Sequence, residues 1–192
     1  MSTSRRSSYH HGDLRAALIT SAMQMLEEGE AFSLRAVARR AGVSATAPYR
    51  HFADRDALES ALAAEGFADL KADLLARRDL PSTPEDLADL GVAYVDFALR
   101  RPALFRLMFG NECDDADDQR VRAAADLRDL VALAVSRVFP AAGADGPSLA
   151  LAGWGLVHGL ACLHLDGKLP ASPPAEVEAR VRGAFLAILG PR

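Results

Sequence analysis

Apolar residues recur at helical spacing along almost the whole chain, and this pattern constrains the fold more than any other feature. Apolar side chains three or four positions apart form one face of an α-helix. The alternation of apolar and polar residues that is typical of half-buried strands is scarce. Hydrophobic residues make up 50% of the 192 positions, enough for a sizeable core. The sequence therefore predicts an all-α protein of about nine helices.

The N-terminal part of the chain contains four predicted helix starts in quick succession. Asp13 is the expected N-cap of a first helix, and Ser33 is that of a short second helix. Gly42 is placed to end the second helix in a left-handed conformation. Ser44 and Asp54 are the expected caps of a third and a long fourth helix. Such short, closely spaced elements predict a small helical domain.

The rest of the sequence predicts five more helices after a break near residues 77–81. Pro102 suits the first turn of its helix, because the N–H that it lacks would have no partner there. We expect two domains, residues 1–55 with three helices and residues 56–192 with the others. The five expected helical ranges are 84–100, 102–109, 117–138, 148–166 and 174–189.

Charge is distributed unevenly between these two predicted domains. Residues 1–55 hold eight arginines and five acids, a net charge of +3, whereas residues 56–192 hold 14 basic and 21 acidic side chains, a net charge of −7. A basic domain attached to an acidic one suggests that only the first meets a polyanion. Arg5 and Arg6 precede the first helix, where they form either an arm that reaches DNA or a simple tail.

The second and third predicted helices and their turn form a helix-turn-helix unit at residues 33–52. A recognition helix must be short and must present its first residues to base edges in the major groove. Gly42 allows the tight turn. Tyr49, Arg50 and His51 then follow as polar groups on the third helix. An ordinary helical hairpin with charged faces shows the same pattern of helix, glycine turn and helix. The identities of the individual residues therefore have to distinguish it from a DNA-binding unit.

The residues of this unit resemble those of the tetracycline-repressor (TetR) family of transcriptional regulators. The similarity covers roughly residues 9–58, with Ser-Leu-Arg-x-Val-Ala-x-x-Ala-Gly-Val-Ser at 33–44, Tyr-Arg-His-Phe at 49–52 and Asp-Arg-Asp-Ala-Leu at 54–58. It implies a surface that binds double-stranded operator DNA. By position, the implied phosphate contacts are Ser33, Arg35, Tyr49, His51 and Arg55, and the implied base contacts are Ser44, Ala45, Thr46, Ala47 and Arg50.

Pro48 departs from the family pattern, which usually has leucine or another apolar residue at this position. A proline so soon after the helix cap removes an early helical hydrogen bond and should distort the first turn. Ala45 and Ala47 offer only methyl groups to the bases. We therefore expect Thr46, Arg50 and DNA shape to carry much of the specificity, with Arg50 reading a guanine.

The segment 149–165 is apolar nearly all round and has three interpretations. A membrane span needs about twenty such residues, whereas this run has about seventeen and includes two histidines and three glycines. The pair Gly153-x-Gly155 is not a dinucleotide fingerprint, because no strand precedes it. We therefore expect no membrane contact and a helix buried on both faces, with Gly155 and Gly159 leaving a groove for another helix.

Trp154 followed by His158-Gly159 is similar to the WHG type of C-terminal domain in one branch of the TetR family. That resemblance implies a homodimer in which the last two helices pair with their twofold mates as a four-helix bundle. It also implies an apolar stripe on the last helix, formed by Val177, Val181, Phe185 and Leu189.

The resemblance further implies a small-molecule effector bound among the middle helices. Aromatic and methionine side chains with few internal charges favour a largely apolar molecule. Each candidate residue can also be plain core, although Trp154 and His158 lie four apart on one helix face and could line the same cavity. The candidates are Tyr94, Phe97, Phe105, Met108, Phe109, Trp154, His158 and Cys162.

Motifs of other functional classes are missing from the sequence. It has no Gly-x-Ser-x-Gly elbow, no phosphate-binding loop and no HExxH, so we expect neither an enzyme nor a cofactor. Five acids between Glu112 and Asp118 could hold a metal ion, but no ligand spacing accompanies them and a solvated loop is favoured.

We expect a cytoplasmic repressor that its effector releases from the operator. Two isolated cysteines and an N-terminus without an apolar run fit a reducing compartment. The alternative is a helical scaffold for protein contacts that does not bind DNA.

Overall fold

Helices account for all regular secondary structure in the residues that the structure describes. This computed structural model describes residues 11–76, 80–110 and 118–189, with side chains from residue 14 onward. Its α-helices are α1 (His11–Glu27), α2 (Leu34–Arg40), α3 (Arg55–Leu75), α4 (Pro84–Arg100), α5 (Pro102–Gly110), α6 (Gln119–Val138), α7 (Gly146–Leu165) and α8 (Pro174–Leu189). Two 3₁₀ segments, Pro48–Arg50 and Pro140–Asp145, accompany them. The predicted all-α fold is confirmed, with eight α-helices in the described residues instead of about nine.

Most helix starts lie where the sequence predicts them. Asp54 caps α3, because its carboxylate accepts a hydrogen bond of 2.8 Å from the N–H of Ala57. Pro102 occupies the first position of α5, as expected. The prediction for Asp13 is wrong: α1 begins at His11, so Asp13 lies within the first turn. The helix dipole favours acids in the first turn as well as at the cap, so the sequence signal does not separate these positions.

The contacts divide the chain into two compact units. The first, which we call the head, ends at Leu62, and the second, the body, begins at Ala63. Helix α3 contributes its first part to the head and the remainder to the body. The functional division after residue 55 stays a prediction. Three predicted features lie outside the described residues: the arm with Arg5 and Arg6, residues 77–79 of the break, and residues 112–117 of the acidic stretch.

Helix α4 is the centre of the body. It packs against α5, α6, α7 and α8. Gly91 allows the close approach of α7 and α8, because a Cβ at this position would lie 2.9 Å from the Phe185 ring and 3.0 Å from Val157. The apolar stripe of α8 therefore packs inside its own body and does not face a partner. The buried residues of that stripe are Val177, Val181, Phe185 and Leu189.

Helix α7 is apolar on two faces, of which the body covers one. The stretch Pro140–Leu165 is long and apolar enough to cross a membrane, as core helices of soluble proteins also are. Here α7 contacts α4, α6 and α8. Its opposite face is open in the single chain, where Leu151 is 68% and Leu163 43% exposed. The predicted burial of α7 on both faces thus requires a partner chain that covers the exposed face.

Candidate DNA-binding surface and ligand cavity

A Schellman turn ends α2 and sets the direction of the segment that follows. The N–H of Val43 donates to the carbonyl of Ala38 at 2.9 Å, and the N–H of Gly42 donates to the carbonyl of Arg39 at 3.2 Å. Gly42 has a φ of +70°, which glycine adopts without strain. The predicted tight turn of the helix-turn-helix is confirmed.

The segment after this turn is a run of 3₁₀-type turns, so the predicted third α-helix is wrong. The N–H of Ala47 donates to the carbonyl of Ser44 at 3.0 Å, and that of His51 donates to Pro48 at 2.9 Å. An α-helix capped by Ser44 would need an N–H at position 48, which proline lacks. Pro48 is fully buried. The predicted distortion by Pro48 is therefore confirmed and extends through the whole segment.

Most of the residues predicted to contact DNA are exposed. Ser33 caps α2, where its Oγ accepts from the N–H of Ala36 at 3.2 Å and keeps its own proton for a phosphate. Phe52 is 2% exposed and anchors the segment in the head. The exposed residues are Ser33, Arg35, Ser44, Ala45, Thr46, Tyr49, Arg50 and Arg55, and the half-buried ones are Ala47 and His51.

The arginines of the head differ in the partners that they hold. The Arg40 guanidinium lies 2.6 Å from the Glu28 carboxylate and 3.1 Å from that of Glu30, and the hydrogen bond to Glu28 is the main cause of its raised pKa. The sequence carries no local signal for this clamp, because its members are ten or more positions apart. Arg35 and Arg50 have no ion pair within the described residues, so their guanidinium groups can meet DNA.

Two of the predicted phosphate contacts are constrained by their surroundings. The Nε of Arg55 pairs with Glu59 at 2.7 Å, and its guanidinium lies 5.3 Å from the centre of the Phe32 ring. These contacts hold a side chain that is still 62% exposed. The Nε2 of His51 is buried without a partner in the described part of the chain, so a contact from His51 has to use its other edge.

Aromatic rings from four helices meet inside the body. The Phe109 ring is the hub, with its centre 4.8 Å from Phe105, 4.6 Å from His158 and 5.2 Å from Phe67. Tyr94 packs edge-on against Phe105 at 5.7 Å. These rings join α3, α4, α5 and α7. Of their residues, only Phe67 was not a sequence-predicted candidate.

A chain of polar contacts runs through this cluster from Trp154 through Tyr94 and His158 to Cys162. The Trp154 indole can only donate, so Tyr94 Oη accepts from it at 3.4 Å. The Tyr94 hydroxyl and His158 Nδ1 share a hydrogen bond of 3.0 Å, and His158 Nε2 lies 3.6 Å from the Cys162 sulfur. Burial lowers the pKa of His158 and raises that of Tyr94, so both groups are neutral at pH 7.

A cavity of about 400 Å³ lies beside the aromatic cluster. Three of the eight predicted ligand residues line it, namely Met108, Phe109 and Trp154. Tyr94, Phe97 and Phe105 are buried core side chains that do not line it, and His158 and Cys162 are half-buried and are not among its lining residues either. The lining residues are Phe67, Met108, Phe109, Arg120, Val121, Ala124, Ala125, Arg128 and Trp154.

Arg120 and Arg128 line the cavity but were not among the predicted ligand residues. Charges on an amphipathic helix look like a solvated face, and only the packing of α6 shows which of them border a cavity. Among the described residues, no three His, Cys, Asp or Glu side chains come together as a metal site.

The short α2, its Schellman turn and the exposed segment after it are the features of a DNA-binding head, which a second helical unit, the body, follows. Comparison with known families gives the same result. The model described as "Bacterial regulatory proteins, tetR family" matches residues 18–62, and that described as "Tetracyclin repressor-like, C-terminal domain" matches residues 87–185.

The chain belongs to the TetR family and is a DNA-binding transcriptional regulator. The predicted family is confirmed, and so is the prediction that the protein is not an enzyme. Membership also counts against the alternative of a scaffold that does not bind DNA. The WHG subtype stays a resemblance.

Solved structures share the fold over nearly the whole chain. A protein with unknown function from Rhodococcus sp. RHA1 is 38% identical, with a TM-score of 0.80, covering 97% of this chain and 100% of that one. A regulatory protein of the tetR family from Rhodococcus RHA1 is 20% identical, with a TM-score of 0.67 and coverages of 93% and 97%. A TetR transcriptional regulator from Rhodococcus sp. RHA1 is also 20% identical, with a TM-score of 0.61 and coverages of 94% and 98%. No curated protein matches this chain.

Proposed function

We propose that this regulator is a cytoplasmic, homodimeric repressor that leaves its operator when the body binds a small, largely apolar molecule. The observation that carries the proposal is the cavity of about 400 Å³, which is lined mainly by apolar side chains. Phe67, one of its walls, belongs to α3, the helix that begins in the head. A molecule in the cavity would therefore contact a helix that both units share.

The head supplies the DNA contacts in this proposal. Arg50 is exposed, has no ion pair within the described residues, and follows a segment of small exposed side chains that can approach base edges. Arg35 and Ser33 lie at the start of α2, where a helix N-terminus favours a phosphate. Arg50 thus reads sequence, while the start of α2 holds the DNA backbone.

Release follows from a shift between two arrangements of the dimer. Two recognition segments must be about 34–36 Å apart to enter successive major grooves. A ligand that contacts Phe67 favours the position of α3 that leaves room for the ligand. In that position the two recognition segments have a spacing that does not match successive major grooves. The ligand acts only through its difference in affinity for the two arrangements.

The dimer is supported by the faces of α7 and α8 that the body leaves uncovered. On α7 these are Leu151, Gly155, Gly159 and Leu163, spaced four apart, and on α8 Ala179, Gly183 and Ala187. Among the described residues, no atom other than those of the helix's own nearby backbone lies within 4 Å of a Cβ built at Gly155, Gly159 or Gly183. Small residues at such spacing let the helices of a second copy approach closely.

We expect Gly155→Arg to convert the dimer to a monomer, because the arginine would occupy the groove between paired α7 helices. Sedimentation velocity measures the change, and circular dichroism checks the fold, in which a Cβ at this exposed position meets no neighbour among the described residues. Leu133→Arg on α6, at a leucine that is 48% exposed, is the matched control and should remain dimeric. A Gly155→Arg protein that stays dimeric would show that the interface lies elsewhere.

The whole proposal is tested by binding to the DNA upstream of the protein's own gene. Affinity should fall steeply with salt, with a slope of about −0.9 for each phosphate neutralised. Addition of an apolar ligand should then release the DNA at constant salt. Affinity that does not respond to any ligand bound by the body would contradict the proposed ligand response.

A further inference from the structure

Arg120 is unusual among the arginines of the body. Its Nε is buried and has no hydrogen-bond partner in the described residues, although it lines the cavity of about 400 Å³. Other arginines of the body hold carboxylates: Arg100 pairs with Asp73 and Asp96, Arg101 with Asp69, Arg106 with Asp166, and Arg182 with Asp89. A guanidinium keeps its charge at any physiological pH, and its N–H groups need hydrogen-bond acceptors. The buried Nε–H of Arg120 has no such acceptor in the described residues.

Among the described residues, the cavity wall offers Arg120 no acid. Its charged members are Arg120 and Arg128, and its remaining members are apolar. Arg128 has a carboxylate nearby, with its Nε 3.6 Å from Asp129, but Asp129 does not line the cavity. Arg120 also lies in the first turn of α6, where its backbone N–H donates to the capping Asp118 carboxylate at 2.7 Å, so that carboxylate serves the helix end. Within the described residues, the cavity thus combines mainly apolar walls with a positive edge that no carboxylate of those walls compensates.

A second cavity in the body, of about 440 Å³, does not share this property. The charged residues in its wall include Arg182, which is already bound by Asp89 and by Glu178 at 3.4 Å. Its positive charge is therefore satisfied within the chain. Of these two sites, only the one beside Arg120 has, in the described part of the chain, a buried guanidinium nitrogen without a hydrogen-bond partner.

We infer that the ligand of the body is an apolar carboxylate. Its carboxylate pairs with the Arg120 guanidinium, a planar fork that matches a carboxylate in a two-point contact. Its apolar part lies against Phe109 and Trp154, in the room left by the small side chains of Ala124 and Ala125. Binding of the carboxylate is inferred from the cavity alone. Its effect on DNA affinity rests on the proposed function.

Matched pairs of probes test the inference. Decanoate and 1-decanol share an alkyl chain, and 4-phenylbutyrate and 4-phenyl-1-butanol share an aryl-alkyl group, while only the first of each pair carries a carboxylate. Trp154 is the one tryptophan of the chain and lines the cavity, so its fluorescence reports binding. At least one carboxylate should bind about tenfold or more tightly than its alcohol, the strength expected of a charge-assisted pair.

The variant Arg120→Gln should remove this preference. It should weaken carboxylate binding about tenfold and leave alcohol binding nearly unchanged, because the apolar wall stays intact. Arg122→Gln is the control, since it removes the same charge from an exposed position of α6 that does not line the cavity. It should keep the carboxylate preference.

Three results would overturn the inference: equal affinity for carboxylate and alcohol in both pairs, no binding by either carboxylate, or an unchanged preference in Arg120→Gln. Binding to upstream DNA, measured without any ligand, separates this failure from failure of the proposed function. Specific DNA binding without carboxylate binding would refute the inference alone. Carboxylate binding that never alters DNA affinity would refute the proposed ligand response and leave the cavity assignment standing.

Discussion

Arg50→Ala is expected to weaken binding to the operator about 100-fold or more. A bidentate arginine–guanine contact contributes about 1–3 kcal/mol of discrimination, and a dimer presents two copies. Arg50 is exposed and has no ion pair within the described residues, so its loss should not disturb the fold of the head. Fluorescence anisotropy with specific and random duplexes at one salt concentration measures the effect.

Two further variants show whether Arg50 reads sequence or only supplies charge. Arg50→Lys keeps the charge but loses the planar fork, so it should keep non-specific affinity and lose specificity. Arg35→Ala should weaken specific and random DNA about equally, as expected of a phosphate contact. If Arg50→Ala lowered both affinities by the same factor, the assignment of Arg50 to a base would be wrong.

Phe105→Ala is expected to lower the free energy of unfolding of the body by about 3–5 kcal/mol, the usual cost of removing a buried phenylalanine. Phe105 is 2% exposed, and its ring packs between those of Phe109 and Tyr94 and beside His158. It lines neither large cavity, so the effect is one of core packing. Urea unfolding followed by Trp154 fluorescence, at one fixed protein concentration, measures it.

Leu133→Ala is the reference for this measurement. Leu133 is 48% exposed, so its truncation should change the free energy of unfolding by no more than about 0.5 kcal/mol. A loss below about 1 kcal/mol in Phe105→Ala would mean that the aromatic cluster is not a tightly packed core. It would also make a ligand contact by Phe105 worth testing.

Much of the fold was predictable from local signals in the sequence. Helical periodicity, the Ser33 and Asp54 caps and the left-handed Gly42 act within a few residues, so their geometry follows from nearest neighbours. The Tyr49–Phe52 motif indicated the family for the same reason, because its spacing from Gly42 is itself a local feature. Pro48 was recognised as a disturbance, but whether a distorted α-helix or a run of 3₁₀ turns resulted depended on how the segment packs.

Features that join distant parts of the chain came only from the tertiary structure. The sequence pattern shows that α8 has an apolar stripe, but not that Phe185 meets Gly91 inside the same body and leaves the small residues of α8 exposed. The same holds for the cavity, where Phe67, Phe109, Arg120 and Trp154 come from four different helices. Periodicity defines the faces of each helix, whereas the volumes of side chains far apart in sequence decide which faces meet and where space remains.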